Sequence, residues 1–183
     1  MTLIDRLSVD YNQIVIYGAK GWVGRSAVEL LFEGNPQLFK EKVLLIGSKS
    51  QTANDANLPA KIFASKDSIK YIENAVLFLN AAYLRREKIA TLGPEVYEKT
   101  NNSMTNFCLD LLERESIKTF INLSSGVAKQ SNYSEEAIFE DLYAKSKRKS
   151  ELKIADACKS VNSQLINCRI FNLSGNMLMN LII

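Results

Sequence analysis

The sequence contains no histidine. Any acid or base working near neutral pH must therefore be a tyrosine, lysine, cysteine or carboxylate with a displaced pKa. Ser-His-Asp hydrolysis and histidine-ligated metal chemistry are excluded. Cysteine is scarce as well: Cys108, Cys158 and Cys168 are odd in number and show no CxxC or other metal-type spacing. Neither a metal site nor a disulfide framework is expected, and the three read as small buried hydrophobes of a reducing compartment. No run approaches the roughly 18 apolar residues of a membrane span, and the first residues carry Asp5, Arg6 and Asp10 rather than a signal peptide. A cytoplasmic chain with no membrane partner is the expectation. The net charge is only +3, with Lys and Arg scattered, so no electrostatic footprint points to nucleic acid. The densest basic run, Lys145 to Lys149, falls on a predicted helix and by itself reads as a solvated face.

What the sequence does hold is a core for one domain over residues 1–183, 46% apolar and 23% charged. Short apolar runs alternate with longer helical patterns, the mark of βαβ units around a parallel sheet. The predicted strands are Gln13 to Tyr17, Val43 to Ile46, Lys61 to Phe63, Ala75 to Leu79, Thr119 to Leu123 and Gln164 to Ile170. Their near-continuous apolar character fits strands covered on both faces. Helices are predicted over Val23 to Phe32, near Ser68 to Ile72, over Pro94 to Arg114 and over Ser134 to Ser160. Asn54 to Pro59 and Gly126 to Tyr133 read as loops. The expected class is α/β, a doubly wound parallel sheet with helices on both faces.

The first strand runs straight into GAKGWVG and then a helical pattern, placing Gly18, Gly21 and Gly24 at GxxGxxG spacing. Gly18 permits a tight strand-to-helix turn, Gly21 lets backbone approach a pyrophosphate, and Gly24 lets helix pack on strand. The helix start adds free N–H groups and a positive dipole end. Three glycines alone fit a plain loop equally well, and the spacing is one residue wider than GxGxxG; the position between first strand and first helix favours a dinucleotide. The second predicted strand ends in Gly47, Ser48, Lys49 and Ser50, without the carboxylate that binds ribose hydroxyls. Ser48 and Lys49, with Lys20 in the glycine loop, suit a 2′-phosphate, so NADP is favoured over NAD, the alternative being that Lys49 is a surface lysine.

Tyr143 and Lys147 stand four residues apart in YAKSK, one turn apart on one helix face. An ammonium that close favours phenolate, and a tyrosine so tuned can exchange a proton with a substrate hydroxyl while hydride moves to or from a nicotinamide. By itself such a pair reads as an exposed helix face. It does not stand by itself: Ser124 and Ser125 close the strand TFINLSS, at the carboxyl edge where ligands of open α/β sheets bind. A hydroxyl there can bond the reacting oxygen, although SSG also reads as a polar turn.

IVIYGAKGWVG, VLFLNAA, TNNSMT with FCLDLLERESIKTFINLSS, YAKSKRKSE and CRIFNLSG follow one another over about residues 13 to 175. Together they resemble the short-chain dehydrogenase/reductase superfamily, in its extended branch of nucleotide-sugar epimerases and dehydratases. The resemblance implies a Rossmann-type NAD(P)-binding domain. It adds Trp22 and Val23 to the glycine loop and sets Ala81 and Ala82 beside the adenosine. It makes Ser125, rather than Ser124, the catalytic hydroxyl, Tyr143 the acid/base, Lys147 its tuner and ribose ligand, and Asn101 a structural and proton-relay member. YAKSKRKSE carries the YxxSKxxxE pattern through Tyr143, Ser146, Lys147 and Glu151; CRIFNLSG carries RxFNxxG through Arg169, Phe171, Asn172 and Gly175. A homodimer through the helices of Asn101 and Tyr143 is a further implication.

The sequence departs from this pattern twice. Val127 is followed by Ala128 and Lys129 where the family has Val-Tyr-Gly, and MLMNLII after the last motif holds nothing like the family's substrate-binding portion. The expectation is thus a domain lacking most or all of that portion. Two functions follow: hydride transfer at a secondary alcohol of a nucleotide sugar, favoured by the combination of Ser125, Tyr143 and Lys147, or an NADP(H)-binding module without turnover. A purely structural partner protein is weaker, since nothing in it requires three glycines at a strand end.

Overall fold

A computed structural model of the chain describes residues 3–47, 51–52, 62–66, 69, 74–114, 116–129 and 141–171. Helix α1 (Leu3–Asp10) leads into strand β1 (Gln13–Tyr17), followed by α2 (Trp22–Gly34), α3 (Pro36–Lys42) and β2 (Val43–Gly47). Then come β3 (Gln51–Thr52), β4 (Ile62–Ser65), β5 (Val76–Asn80), α4 (Lys88–Leu92) and α5 (Pro94–Arg114). Strand β6 (Ile117–Ser125), a 3-10 turn over Gly126–Lys129, α6 (Leu142–Ser160) and β7 (Gln164–Ile170) complete the described elements. The sheet order is β3-β4-β2-β1-β5-β6-β7. Every pairing is parallel except that of β3 with β4, so β1, β5 and β6 end side by side at one carboxyl edge.

Both faces of the sheet are covered, and the strand period of two divides the core between them. Val15, Tyr17, Phe78 and Phe120 point to the face covered by α5 and α6, meeting Leu111, Leu112 and Cys108 of α5 and Ile154 and Cys158 of α6. Ile14, Ile16, Leu45 and Leu77 point to the other, meeting Val28 and Leu31 of α2 and Leu38 and Phe39 of α3. This is the doubly wound arrangement expected of near-continuous apolar strands.

Strands β1 and β7 and helix α5 have the predicted limits, while β6 runs longer and carries Ser124 and Ser125 as strand residues. The strand predicted at Lys61 to Phe63 is found at Ile62–Ser65, Lys61 lying outside the described residues. The helix predicted from Ser134 is seen from Leu142, where the carboxylate of Asp141 caps the N–H groups of Tyr143 and Ala144 at 2.9 and 3.2 Å; 134–140 lie outside. Also outside are the predicted loop at Asn54 to Pro59 and, apart from Ile69, the short helix near Ser68 to Ile72. The loop predicted from Gly126 begins instead with the 3-10 turn.

Among the described residues, three short helices were not anticipated. In α3, Pro36 opens the helix and the Asn35 side chain accepts from Leu38 N at 2.9 Å, while the Asn35 N–H closes α2 on Leu31 O. One asparagine thus ends one helix and begins the next, which leaves no loop to read between them. Helices α1 and α4 contain no fully buried residue; α1 nonetheless packs Ile4 and Leu7, one turn apart, against the core on the α2 and α3 face.

Candidate active site

The glycine turn is shaped by backbone meeting backbone. Gly18 has φ +83°, and a Cβ there would lie 2.6 Å from Ala82 N, because the chain leaving β5 crosses directly over the turn. Ala81 N donates to Tyr17 O at 2.8 Å and Gly18 N to Ile46 O at 3.1 Å, which ties β1, β2 and β5 together at this point. Gly24, in the first turn of α2, faces back on the turn, and a Cβ there would run into Gly18 O and Ala19 Cα. Gly21 is the exposed N-cap of α2, and no side chain caps it. The start of α2, with Trp22 and Val23 half-buried and Lys20 exposed beside it, therefore offers main-chain donors at the positive end of a helix. An exposed helix start whose N-cap, Gly21, carries neither a Cβ nor a capping side chain fits a pyrophosphate group. Ser48 and Lys49 lie outside the described residues.

Across the edge from this turn lie Ser125 and the first turns of α6. Ser124 is buried at 5% exposure, whereas Ser125, the last residue of β6, is half-buried. Lys147 is 7% exposed and donates from Nζ to Leu123 O at 2.9 Å, bolting α6 to β6 two residues before Ser125. Burial pulls the pKa of Lys147 down from 10.5 to about 7, against an opposing pull from the Glu151 carboxylate. The lysine is thus a far less firmly charged group than its place on a helix face suggests.

Behind the lysine, Glu151 is held by the guanidinium of Arg169 through two parallel hydrogen bonds of 2.9 Å, linking α6 to β7. Burial pushes the Glu151 carboxyl up, but the Arg169 hydrogen bonds and the charges of Arg169 and Arg148 outweigh it and hold it below the usual carboxylate range. A second lock runs through the sheet itself. Asn80 Nδ2 donates to Asn122 Oδ1 at 3.0 Å, and Asn122 Nδ2 to Asn167 Oδ1 at 2.9 Å, an amide ladder across the matched positions of β5, β6 and β7. Asn80 Oδ1 also accepts from Ala82 N at 3.2 Å, shaping the chain that crosses Gly18.

Asn101 is buried in α5, and its Oδ1 accepts from Leu84 N at 2.9 Å, so it anchors the segment between β5 and α4. Its Nδ2 is buried with no hydrogen-bond partner among the described residues. That segment carries Tyr83, which the sequence did not single out. The Tyr83 ring faces Lys147 Nζ, 3.6 Å from the centroid, and meets Tyr143 edge-on with centroids 6.2 Å apart. Arg86 lies 5.2 Å over the Tyr143 ring and pairs with Asp141. Neither residue belongs to a motif, and only the crossing of this segment over α6 reveals them. The asparagine ladder did leave a sign: three polar amides each in an apolar strand require partners.

The profile of the NAD dependent epimerase/dehydratase family matches residues 14–180. No curated protein sequence matches the chain. Among solved structures it is similar to UDP-glucose 4-epimerase of Thermotoga maritima, determined with UDP-glucose, at 15% identity and TM-score 0.59 over 86% of this chain and 54% of that one. It is also similar to a dTDP-glucose 4,6-dehydratase from Streptomyces venezuelae, determined with NAD, at 18% identity and TM-score 0.61 over 86% and 55%. A GDP-6-OMe-4-keto-L-xylo-heptose reductase from C. jejuni aligns at 14% identity and TM-score 0.64 over 91% and 48%. The chain spans about half the length of these solved proteins, and at such identities the likeness is one of fold.

Proposed function

The chain belongs to the NAD-dependent epimerase/dehydratase family, and on that premise we propose that it binds a nicotinamide dinucleotide across the carboxyl edge of β1, β5 and β6 and acts on a secondary alcohol of a nucleotide sugar. The observation that carries this is the convergence of the glycine turn at Gly18, Gly21 and Gly24 with Ser125 and the first turns of α6 on one edge of the sheet. The pyrophosphate rests on Gly21, Trp22 and Val23, the adenosine side lies along Ala81 and Ala82, and the nicotinamide ribose falls to Tyr143 and Lys147. When bound, the dinucleotide supplies hydride transfer. Tyr143 exchanges the proton of the substrate hydroxyl at its phenol oxygen, Ser125 hydrogen-bonds the same oxygen, and Lys147 orients the tyrosine and holds ribose hydroxyls. Asn101 keeps the segment above α6 in place.

NADP(H) is preferred over NAD(H), since the residues after β2 are Gly47, Ser48, Lys49 and Ser50 with no carboxylate, and Lys20 adds a positive charge to the turn. A nucleotide-sugar substrate is supported by the substrates named for the solved relatives. A cytoplasmic location is supported by three cysteines that are all free.

A second reading, a module that holds NADP(H) without turnover, is favoured by one feature: Lys147 Nζ is already engaged by Leu123 O and the Tyr83 ring. Fluorescence titration with NADPH and NADH, followed by turnover assays with nucleotide sugars, separates the two. Saturable binding with turnover is expected, and Tyr143→Phe should abolish turnover while nearly keeping cofactor affinity. Binding without turnover supports the module, and binding of neither cofactor rejects both readings.

A further inference from the structure

Leu84 is pinned to α5 on both sides of its backbone: its N–H donates to Asn101 Oδ1 at 2.9 Å, and its carbonyl accepts from Tyr97 Oη at 3.0 Å. The segment is therefore a rigid platform rather than a free loop. From it two side chains reach α6 and form a run of alternating groups: Lys147 on the Tyr83 face, the Tyr83 and Tyr143 rings edge to face at 82°, and Arg86 over the Tyr143 ring. Arg86 is itself tied to Asp141, the N-cap of the same helix.

We propose that Tyr83 is a positioning residue of this site, its ring face holding the Lys147 amine against Leu123 O and its contact with Tyr143 setting the angle of that ring. The inference rests on the reading that Tyr143 and Lys147 carry the proton chemistry. An aromatic face attracts a cation most where water is excluded, and Lys147 is buried. Burial pushes the Tyr83 phenol above its ordinary range, so the ring stays a neutral surface. Among the described residues, the charged and titratable groups facing Lys147 are thus Glu151 from its own helix and Tyr83 from the platform, with Tyr143 and Arg86 beyond.

The test compares Tyr83→Phe, which keeps the ring, with Tyr83→Leu, which keeps only apolar bulk. Full-length protein labelled with ε-13C lysine is titrated by NMR, and Lys147 is assigned by its loss in Lys147→Met. In wild type and Tyr83→Phe, the Lys147 resonance should be displaced upfield by the ring and should titrate near pH 7. Tyr83→Leu should lose the displacement and lower the midpoint by about half a unit or more. NADPH affinity should be alike in wild type and Tyr83→Phe and about 5-fold weaker in Tyr83→Leu. If Tyr83→Leu does not fold, Tyr83→Met carries the same comparison. A Lys147 resonance indifferent to loss of the ring, or a Tyr83→Phe protein as altered as Tyr83→Leu, overturns the proposal. If no variant binds NADPH while the lysine still reports the ring, the cofactor reading has failed and the hold on Lys147 stands.

Discussion

At the glycine turn the shape is made by main chain: the path leaving β5 crosses Gly18 so closely that a Cβ would lie 2.6 Å from Ala82 N. A few residues along the same edge, the ground under Tyr143 and Lys147 is made by side chains: an amide ladder, an arginine–glutamate fork, a capping aspartate and two aromatic rings. Packing of backbone on backbone leaves no slack and no pH dependence. A network of buried charges and amides adapts more readily, but its stability depends on every partner being present and correctly ionised.

The sharpest way to break this contrast is Gly18→Val. It imposes a side chain at φ +83° and drives it into the Ala81–Ala82 backbone, so a loss of about 4 kcal/mol or outright failure to fold is expected in urea denaturation. A Gly18→Val protein of wild-type stability would show that the turn yields as readily as the network. Next in size, Glu151→Gln strips the charge from the Arg169 fork and should cost about 3 kcal/mol at pH 7. The Glu151 pKa is lowered in the folded protein, so its stabilisation is present above the ordinary carboxylate value and is lost as pH falls through the folded value. The gap between wild type and Glu151→Gln should accordingly close on acidification, and a gap independent of pH would assign the effect to packing.

The smallest effect has the opposite sign. Lys147 titrates at about 7 in the fold against 10.5 ordinarily, so over that window the unfolded chain binds the extra proton. The cost of burying the ammonium is complete below about pH 7 and is relieved as pH rises toward 10.5. Lys147→Met should be more stable than wild type by about 1–2 kcal/mol at pH 6, with the advantage fading at pH 9. Equal stability at both pH values would mean that the amine is solvated.

The same contrast explains what could be read without coordinates. Strand β1 and helix α5 announce themselves through apolar runs and period, because burial on a sheet or helix face leaves a local pattern, while β7, an edge strand with no buried residue, is legible only from its apolar composition. Helix α6 is harder: after Ala144 its buried stripe runs through Ser146, Lys147, Ser150 and Glu151, polar residues that hydropathy places on the solvent side. The resemblance of YAKSKRKSE to a known pattern gave Lys147 a role in the site, but the burial of these residues was not legible. Helix α4, five residues with no buried side chain, left little to detect, whereas α1 carries an apolar stripe through Ile4 and Leu7 that eight residues are too few to establish by period.

From sequence alone came the α/β class, the three-glycine turn between first strand and first helix, the exclusion of histidine chemistry, and the order of the motifs, since each is a matter of local backbone sterics, composition or spacing. The tertiary structure alone decided that Lys147 is buried against Leu123 O, that Asn80, Asn122 and Asn167 pair across three strands, and that Tyr83 and Arg86 bear on Tyr143. Those contacts join residues dozens of positions apart. A buried polar group is stabilised only by a partner in space, and no local window of the chain contains both.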